Sequence, residues 1–284
     1  SDSDGTISEY KWTSSIDGSL STSASFSTTD MTFGNHTITF KVKDNDGVWS
    51  DNVTSWVDVR KSPEWSYDET IDTHSHGRGV AISADGEYIV IGREDYRVDL
   101  LNKDSSTPLW SYTAGGAIIA VSISADGEYI VAGSEDDKVY LFRKNSSTPI
   151  WKYTTDDNVA DVDISEDGKY IIAGSKSDDK KAYLFERSSS TPIWTYETDL
   201  GIESVSISSN GEYIAVGSRD DSVYFFNKDS STPLWSYATD SFVAYVSISA
   251  DGEYIVVGSD DNKIYVFDKD SSTPLWTKTT DGDV

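Results

Sequence analysis

The stretch Ser106-Thr107-Pro108-Leu109-Trp110 recurs almost letter for letter at Ser147 to Trp151, Ser190 to Trp194, Ser231 to Trp235 and Ser272 to Trp276. A weaker copy, Ser62-Pro63-Glu64-Trp65, precedes them, and the six prolines of the chain all lie in this motif. Its tryptophans, Trp65, Trp110, Trp151, Trp194, Trp235 and Trp276, are 45, 41, 43, 41 and 41 residues apart. A chain that repeats itself at this period must build one structural unit again and again. Strand-rich units of that length stack as the blades of a β-propeller.

Each repeat reads as four strands, a to d. In the last one they run Val243 to Ser249, Glu253 to Val257, Lys263 to Phe267 and Pro274 to Thr279. Asp251-Gly252 supplies the a–b turn, matched by Asp85-Gly86, Asp126-Gly127, Asp167-Gly168 and Asn210-Gly211, all strong hairpin dipeptides. Strand b is an almost unbroken apolar run from a tyrosine to a glycine, as in Tyr129 to Gly133, so both of its faces need cover. A blade held between two neighbours has that cover, whereas a one-sided sheet does not. The glycines Gly92, Gly133, Gly174, Gly217 and Gly258 are expected to let the chain turn out of strand b. Proline at the start of strand d fits an outer edge strand that needs no donor, and the tryptophan after it offers a flat surface for locking blade to blade.

The run from strand c to strand d, such as Val139-Tyr140-Leu141-Phe142 followed by Ser147-Thr148-Pro149-Ile150-Trp151, resembles the tryptophan-docking repeat of PQQ-like propellers. The Ser-x-Asp-Gly-Glu-Tyr pieces are similar to WD40-like and YVTN-type surface-protein propellers. These resemblances imply the fold over residues 63–284 and leave the activity open, because such families include dehydrogenases, assembly scaffolds and adhesins. Five full repeats, a leading d strand at Pro63 to Asp68 and a tail from Asp281 to Val284 are expected to belong to a ring of six to eight blades, present here as an open arc or closed by another chain.

Residues 1–60 lack the repeat. Alternation in Ile7 to Trp12 and Thr37 to Val42, with turns at Asp17-Gly18, Gly34-Asn35 and Asp46-Gly47, reads as a small β-sandwich, so the chain is all-β with domains at 1–60 and 61–284. The pattern Asp2-Ser3-Asp4-Gly5-Thr6-Ile7, Tyr10, Trp12, Gly34-Asn35-His36-Thr37 and Val42-Lys43-Asp44-Asn45-Asp46-Gly47 resembles the later two thirds of a PKD domain, an immunoglobulin-like module of archaeal and bacterial surface proteins. The resemblance implies a sandwich whose opening strands are missing from this sequence. It also implies calcium at the first turn, on Asp4 and less securely Asp2.

The net charge of −26 is spread through short Asp-rich loops, which repels phosphate backbones and anionic headgroups and argues against nucleic-acid and membrane partners. The absence of cysteine excludes disulfides and thiolate metal sites. Candidate chemistry lies where the repeat is broken. Blade 1 has 20 residues from Trp65 to Asp85 where the others have 16, and the insertion carries His74, His76 and Arg78, whose alternate histidines could ligate a metal or line a binding loop. The carboxylates of the b–c loops, such as Asp136-Asp137 and Asp260-Asp261, are better explained as turn residues than as a calcium loop. The serines of the c–d turns have no histidine at a fixed offset, and no glycine-rich phosphate loop is present. Asn35, Asn52 and Asn145 head N-glycosylation triplets. The expectation is a non-enzymatic extracellular or cell-surface adhesion module, without a cofactor except possible calcium, that binds a protein or surface glycan and can self-associate. The alternatives are a quinoprotein oxidoreductase and an assembly scaffold that binds another chain's strand.

Overall fold

The computed structural model describes residues 6–59 and 77–282. The chain divides into two units, Ser1–Glu64 and Trp65–Val284. The leading d strand expected at Pro63 to Asp68 lies outside the described residues.

In the first unit the strands stand in the order Gly18–Ser21, Ile7–Ser14, Gly34–Asp44 and Val53–Val59, all antiparallel. Register sets Tyr10 opposite Val42 and Trp12 opposite Phe40, so the apolar residues share one face. The ring centroids of Trp12 and Phe40 are 4.2 Å apart, and Phe26 sets its edge on Trp12 at 5.5 Å. Where a sandwich was expected, the described residues form one sheet, whose aromatics pack on each other and on a loop. His36 is buried, with Nδ1 2.6 Å from the Ser14 hydroxyl and Nε2 2.6 Å from the Thr32 carbonyl.

The second unit contains five four-stranded antiparallel sheets, each with its strands in sequence order. Blade 4 is typical, with a at Ile202–Ile207, b at Tyr213–Ser218, c at Ser222–Asn227 and d at Trp235–Ala238. The a strands of blades 1, 2, 3 and 5 are Gly77–Ile82, Ile118–Ile123, Val159–Ile164 and Val243–Ile248. In four blades the d strand starts at the tryptophan, so the proline stands just before it, and pairing resumes at the next residue, as where Leu234 N donates to Phe225 O at 2.7 Å. Only in blade 2 does the strand, Ser146–Thr154, contain the proline.

Blade-to-blade packing explains the invariant letters. A Cβ on Gly92, Gly133, Gly174 or Gly217 would sit 2.4–2.7 Å from a methyl of Ile118, Val159, Ile202 or Val243 on the next blade. These glycines therefore serve close approach. The turning role expected of them falls to the b–c residues Tyr96, Asp137, Lys180, Asp221 and Asn262, which have positive φ. At the a–b turns both demands coincide: Gly168 has φ +65°, and a Cβ there would lie 2.7 Å from the Tyr129 ring of the preceding blade. Near the ends of the a strands a line of backbone bonds crosses the blades, from Ala84 N to Ala125 O, Ala125 N to Glu166 O, Glu166 N to Ser209 O and Ser209 N to Ala250 O, each 3.0–3.1 Å.

The repeated tryptophans lie in these interfaces. Trp110, Trp151, Trp194 and Trp235 each donate Nε1–H to a carbonyl of the next blade, at Lys144, Arg187, Lys228 and Lys269, over 2.8–2.9 Å. Each ring also lies 5.2–5.4 Å from a phenylalanine of that blade, Phe142, Phe185, Phe226 or Phe267. Trp276, in blade 5, is 53% exposed.

The five blades do not close on themselves among the described residues. Val121, Val162, Val205 and Val246, which face the preceding blade, are 4–9% exposed, whereas the matching Val80 of blade 1 is 72% exposed. Trp235→Ala should therefore lower the unfolding free energy by about 2–4 kcal/mol, the cost of emptying a packed aromatic site, while Trp276→Ala should cost under about 1 kcal/mol. Urea denaturation monitored by circular dichroism would measure both, and equal losses would show that the next blade is not what anchors these rings.

Candidate binding surface in the channel

The a strands of all five blades line one cavity of about 860 Å³. The chain provides its own five-fold comparison of the positions on those strands. The first position of strand a holds Gly77 in blade 1 and Ile118, Val159, Ile202 and Val243 in the others, and the fourth holds Val80, Val121, Val162, Val205 and Val246, so the fourth column does not change and the first changes only in blade 1. The third position holds Gly79, Ala120, Asp161, Ser204 and Tyr245, and each of these residues lines the cavity. The second position brings Ile119, Ala160, Glu203 and Ala244 to the same wall. The fourth position stays valine because a change there would leave a hole or a clash against the preceding blade, whereas the third position is under no such constraint.

Two of the lining changes are aromatic, and both fall on blade 5. Phe242 precedes its a strand and Tyr245 lies within it, 69% exposed. Arg219, the first residue of the blade 4 b–c loop, places its guanidinium 5.7 Å from the Phe242 ring centroid and donates Nε–H to Glu203. The wall of blades 4 and 5 is thus aromatic with an ion pair, and the wall of blade 2 is apolar.

Blade 3 brings two carboxylates inward. Asp161 Oδ2 accepts from Val205 N at 2.8 Å and from the Ser204 hydroxyl at 3.1 Å, and Oδ1 accepts from Val162 N at 2.9 Å. Asp163 Oδ1 accepts from Ile164 N at 2.8 Å and from the Ser122 hydroxyl at 2.9 Å, while Oδ2 accepts from Ile207 N at 3.0 Å. In blade 4 the same places are taken by Ser204 and Ser206, which accept from Val246 N and Ile248 N at 3.3 and 3.2 Å. These side chains extend the sideways bonding between inner strands. Enclosure in the wall pushes the Asp161 carboxyl up to about 7 against the pull of its Val205 and Ser204 donors, and it raises Asp163 as well.

The b–c carboxylates serve a different purpose. Asp136 Oδ2 accepts from Tyr140 Oη at 2.5 Å and from Gly115 N at 2.8 Å, tying the b–c turn to the segment that enters strand a. Asp220 does the same with Tyr224 and Asp199 N, and Asp261 with Tyr265 and Asp240 N. Burial, and then the aspartate beside it, pushes the Tyr265 hydroxyl up to about 12 and holds it as a neutral donor. In blade 3, where the loop is longer, Asp179 takes the bond from Tyr183. Blade 1 departs from the pattern. Arg93 replaces the serine and Asp99 the tyrosine, and Arg93 grips Asp95 through Nε and Nη2, both at 2.9 Å. Asp99 is fully buried, with Oδ2 3.9 Å from both Arg93 and Arg97. The sequence reading missed this cluster, although aligning the repeats position by position would have exposed it.

Of the candidate metal and binding residues, Asp2, Asp4, His74 and His76 lie outside the described residues, as does Trp65. The backbone of Arg78 belongs to strand a of blade 1. The second Asp-x-Asp-Gly turn of the first unit is an Asx turn, with Asp44 Oδ1 accepting from Asp46 N and Val48 N at 2.9 Å each. Among the described residues no group of three or more His, Asp or Glu side chains is placed to hold a metal ion, and no helix is long and apolar enough to cross a membrane.

Two family models match the chain. Residues 178–284 match the model described as outer membrane protein assembly factor BamB, and residues 106–143 and 147–186 match that of the WD domain, G-beta repeat. The repeats are β-propeller blades. Repeats of this kind point to a protein-interaction scaffold. No curated protein matches the chain.

The raised Asp161 gives the propeller a pH signature. Its folded-state value of about 7 exceeds its ordinary value of 3.8, so the folded chain holds more protons than the unfolded chain between those limits, and stability falls as pH rises through that window. Asp161→Ser keeps an acceptor for Val205 N, as Ser204 does for Val246 N, and removes the carboxyl. Denaturant unfolding at pH 4.5 and pH 8 should show a loss of stability smaller by about 1 kcal/mol or more in the variant. An unchanged difference would show that Asp161 is ionised throughout.

Proposed function

We propose that the chain is a non-enzymatic extracellular or cell-surface module whose propeller is a scaffold for a protein or surface glycan. The observation that carries this reading is a contrast within strand a: the fourth position, which packs between blades, is valine in all five, while the third, which faces the channel, is a different residue in each. That pattern suits a recognition surface diversified on a fixed frame. Further support comes from the first unit, whose sequence motifs resemble those of a PKD domain, and from Asn35, Asn52 and Asn145, which are exposed. A calcium ion on Asp4 and Asp2 belongs to the same reading.

The quinoprotein alternative calls for carboxylates and cations free to face a cofactor. In this channel Asp161 and Asp163 are held by backbone and hydroxyl donors, and Glu203 is paired with Arg219. The similarity to the outer membrane assembly factor model favours the third reading, a scaffold for a strand of another chain, enough to keep it as the runner-up.

The test is retention of the purified chain on a glycan array and on intact cells. Saturable binding that weakens several-fold in Phe242→Ala and Tyr245→Ala is expected. Because the chain carries −26 charges, binding should also change between roughly 0.02 and 0.5 M salt if charge contributes. A chain that copurifies with an absorbing quinone and reduces an electron acceptor in the presence of an alcohol would overturn the reading.

A further inference from the structure

We infer that the polar face of the first unit's sheet is a binding site for an acidic polysaccharide, one whose charge is carried by uronic acids. Alternation sends Tyr10, Trp12, Phe40 and Val42 to one side of the sheet, where Trp12, Phe40 and Phe26 pack together and where the second layer of a sandwich would lie. Their neighbours in sequence point the other way. Lys11 stands directly opposite Lys41 and Thr13 opposite Thr39, and across the same central strand Thr54 stands opposite Thr39 and Trp56 opposite Thr37. The lysines of the described first unit, Lys11, Lys41 and Lys43, are all on this side.

Like charges directly opposite each other destabilise a sheet, and the chain can pair its cations where it needs to, as Lys43 holds Glu9 at 3.1 Å and Lys263 holds Asp240 at 2.7 Å. Lys11 and Lys41 have no carboxylate partner among the described residues. Lys41 instead sets its Nζ 4.8 Å from the ring centroid of Trp49, which a bridge to Lys43 brings to the same side. Between the two lysines the surface opens into a cavity of about 230 Å³ lined by Lys11, Thr13, Thr39, Lys41 and Asn52. The net charge of −26 does not close this site to anions, because at physiological salt charges more than about 8 Å away are largely screened. The carboxylate of these rows, Glu9, is already held by Lys43.

The chemistry of the face selects the ligand. Two ammonium groups over one polar cavity call for carboxylates, with which they form charge-assisted hydrogen bonds. Two threonines and an asparagine, which both donate and accept, call for hydroxyls. The exposed aromatic planes call for a partner with apolar faces and polar edges. A sugar acid carries all three on one ring, whereas an inorganic anion has no apolar face and an acidic peptide has no row of hydroxyls. Trp49 stands opposite Lys43 and Trp56 opposite Thr37, so the rings are separated along the central strand by about 20 Å at 3.3 Å per residue. That span suits a chain of sugars lying along the strand. The inference rests on the glycan reading and deepens it by naming the sugar class and a second site, and since it uses none of the channel residues its failure is distinguishable from loss of cell binding in Phe242→Ala or Tyr245→Ala.

The probe is a short oligogalacturonate labelled with a fluorophore at its reducing end, titrated with the full chain and read by anisotropy. A chelator keeps metal ions from bridging ligand and protein, and chain made in a bacterial host leaves Asn52 without a glycan. Saturable binding is expected, weakened about tenfold or more when Lys11→Gln and Lys41→Gln are combined, because each removes a charge-assisted hydrogen bond, and weakened several-fold in Trp56→Ala. Trp56 is 77% exposed, so Trp56→Ala should leave the thermal unfolding midpoint unchanged. Lys152→Gln, which alters an exposed lysine of blade 2, should bind as the unaltered chain does. No saturation up to roughly 0.5 mM chain, or equal binding by the double variant and by Trp56→Ala, would overturn the proposal. So would equal binding of a labelled oligoglutamate, which would show that charge alone is read, or of the methyl-esterified oligogalacturonate, which keeps the hydroxyls and loses the charge.

Discussion

A blade of this chain is apolar on both faces, and neither face can be left in water without loss. Burying a single valine or leucine side chain contributes about 1.5–3 kcal/mol, and each internal interface buries several from both partners, as Ile172, Leu184, Ile202, Val205 and Ile214 do between blades 3 and 4. The sheets must come close enough to exclude water, which fixes glycine at the end of the apolar run and a branched residue opposite it. The tryptophan then crosses the outer rim of the same interface and ends on a backbone carbonyl. Other sequence regularities follow from that contact, because a unit that must fit copies of itself on both sides has little freedom at the positions that touch.

Repetition made most of this legible. The spacing of Trp110, Trp151, Trp194, Trp235 and Trp276 counts the blades, and the Asp-Gly and Asn-Gly dipeptides mark the hairpins, since both signals are local and recur. The glycines of strand b were harder to read. A glycine before a loop looks like a turn residue, and only the neighbouring blade shows that Gly174 is there to admit Ile202. The proline was legible in kind and displaced in place: it precedes strand d in four blades because the pairing begins at the residue after it. The sandwich expected for residues 1–60 was legible as alternation, and alternation specifies a sheet without specifying what lies on its apolar face.

The candidate surface was legible only in part. Insertions drew attention to His74 and His76, whereas the described channel owes its character to substitutions at constant length. Asp161, Glu203, Phe242 and Tyr245 each look like ordinary drift within a repeat. They become a group once the fold places second and third positions of different blades, and the residue before strand a of blade 5, around one cavity. Arg93, Asp95 and Asp99 were hidden for a related reason: an arginine and an aspartate in separate strands form a buried network only if the turn between them brings their heads together, which Tyr96 does at φ 73°.

Charge can now be assigned by role. In the a–b turns an aspartate accepts from the serine two residues before it and from a backbone amide, as Asp85 does from Ser83 and Glu87 N, and those bonds hold its carboxyl below the ordinary range. In the b–c turns Asp136, Asp220 and Asp261 bind a tyrosine and an incoming backbone amide. Much of the −26 net charge therefore comes from residues that cap the backbone of a repeated hairpin, and it accumulates because the hairpin is repeated. An acidic surface that arises in this way gives long-range repulsion from anions without any particular anion having been selected against. Specific recognition has to come from positions the repeat leaves free, and along strand a those are the second and third positions that line the channel, while the fourth is held to valine by the neighbouring blade.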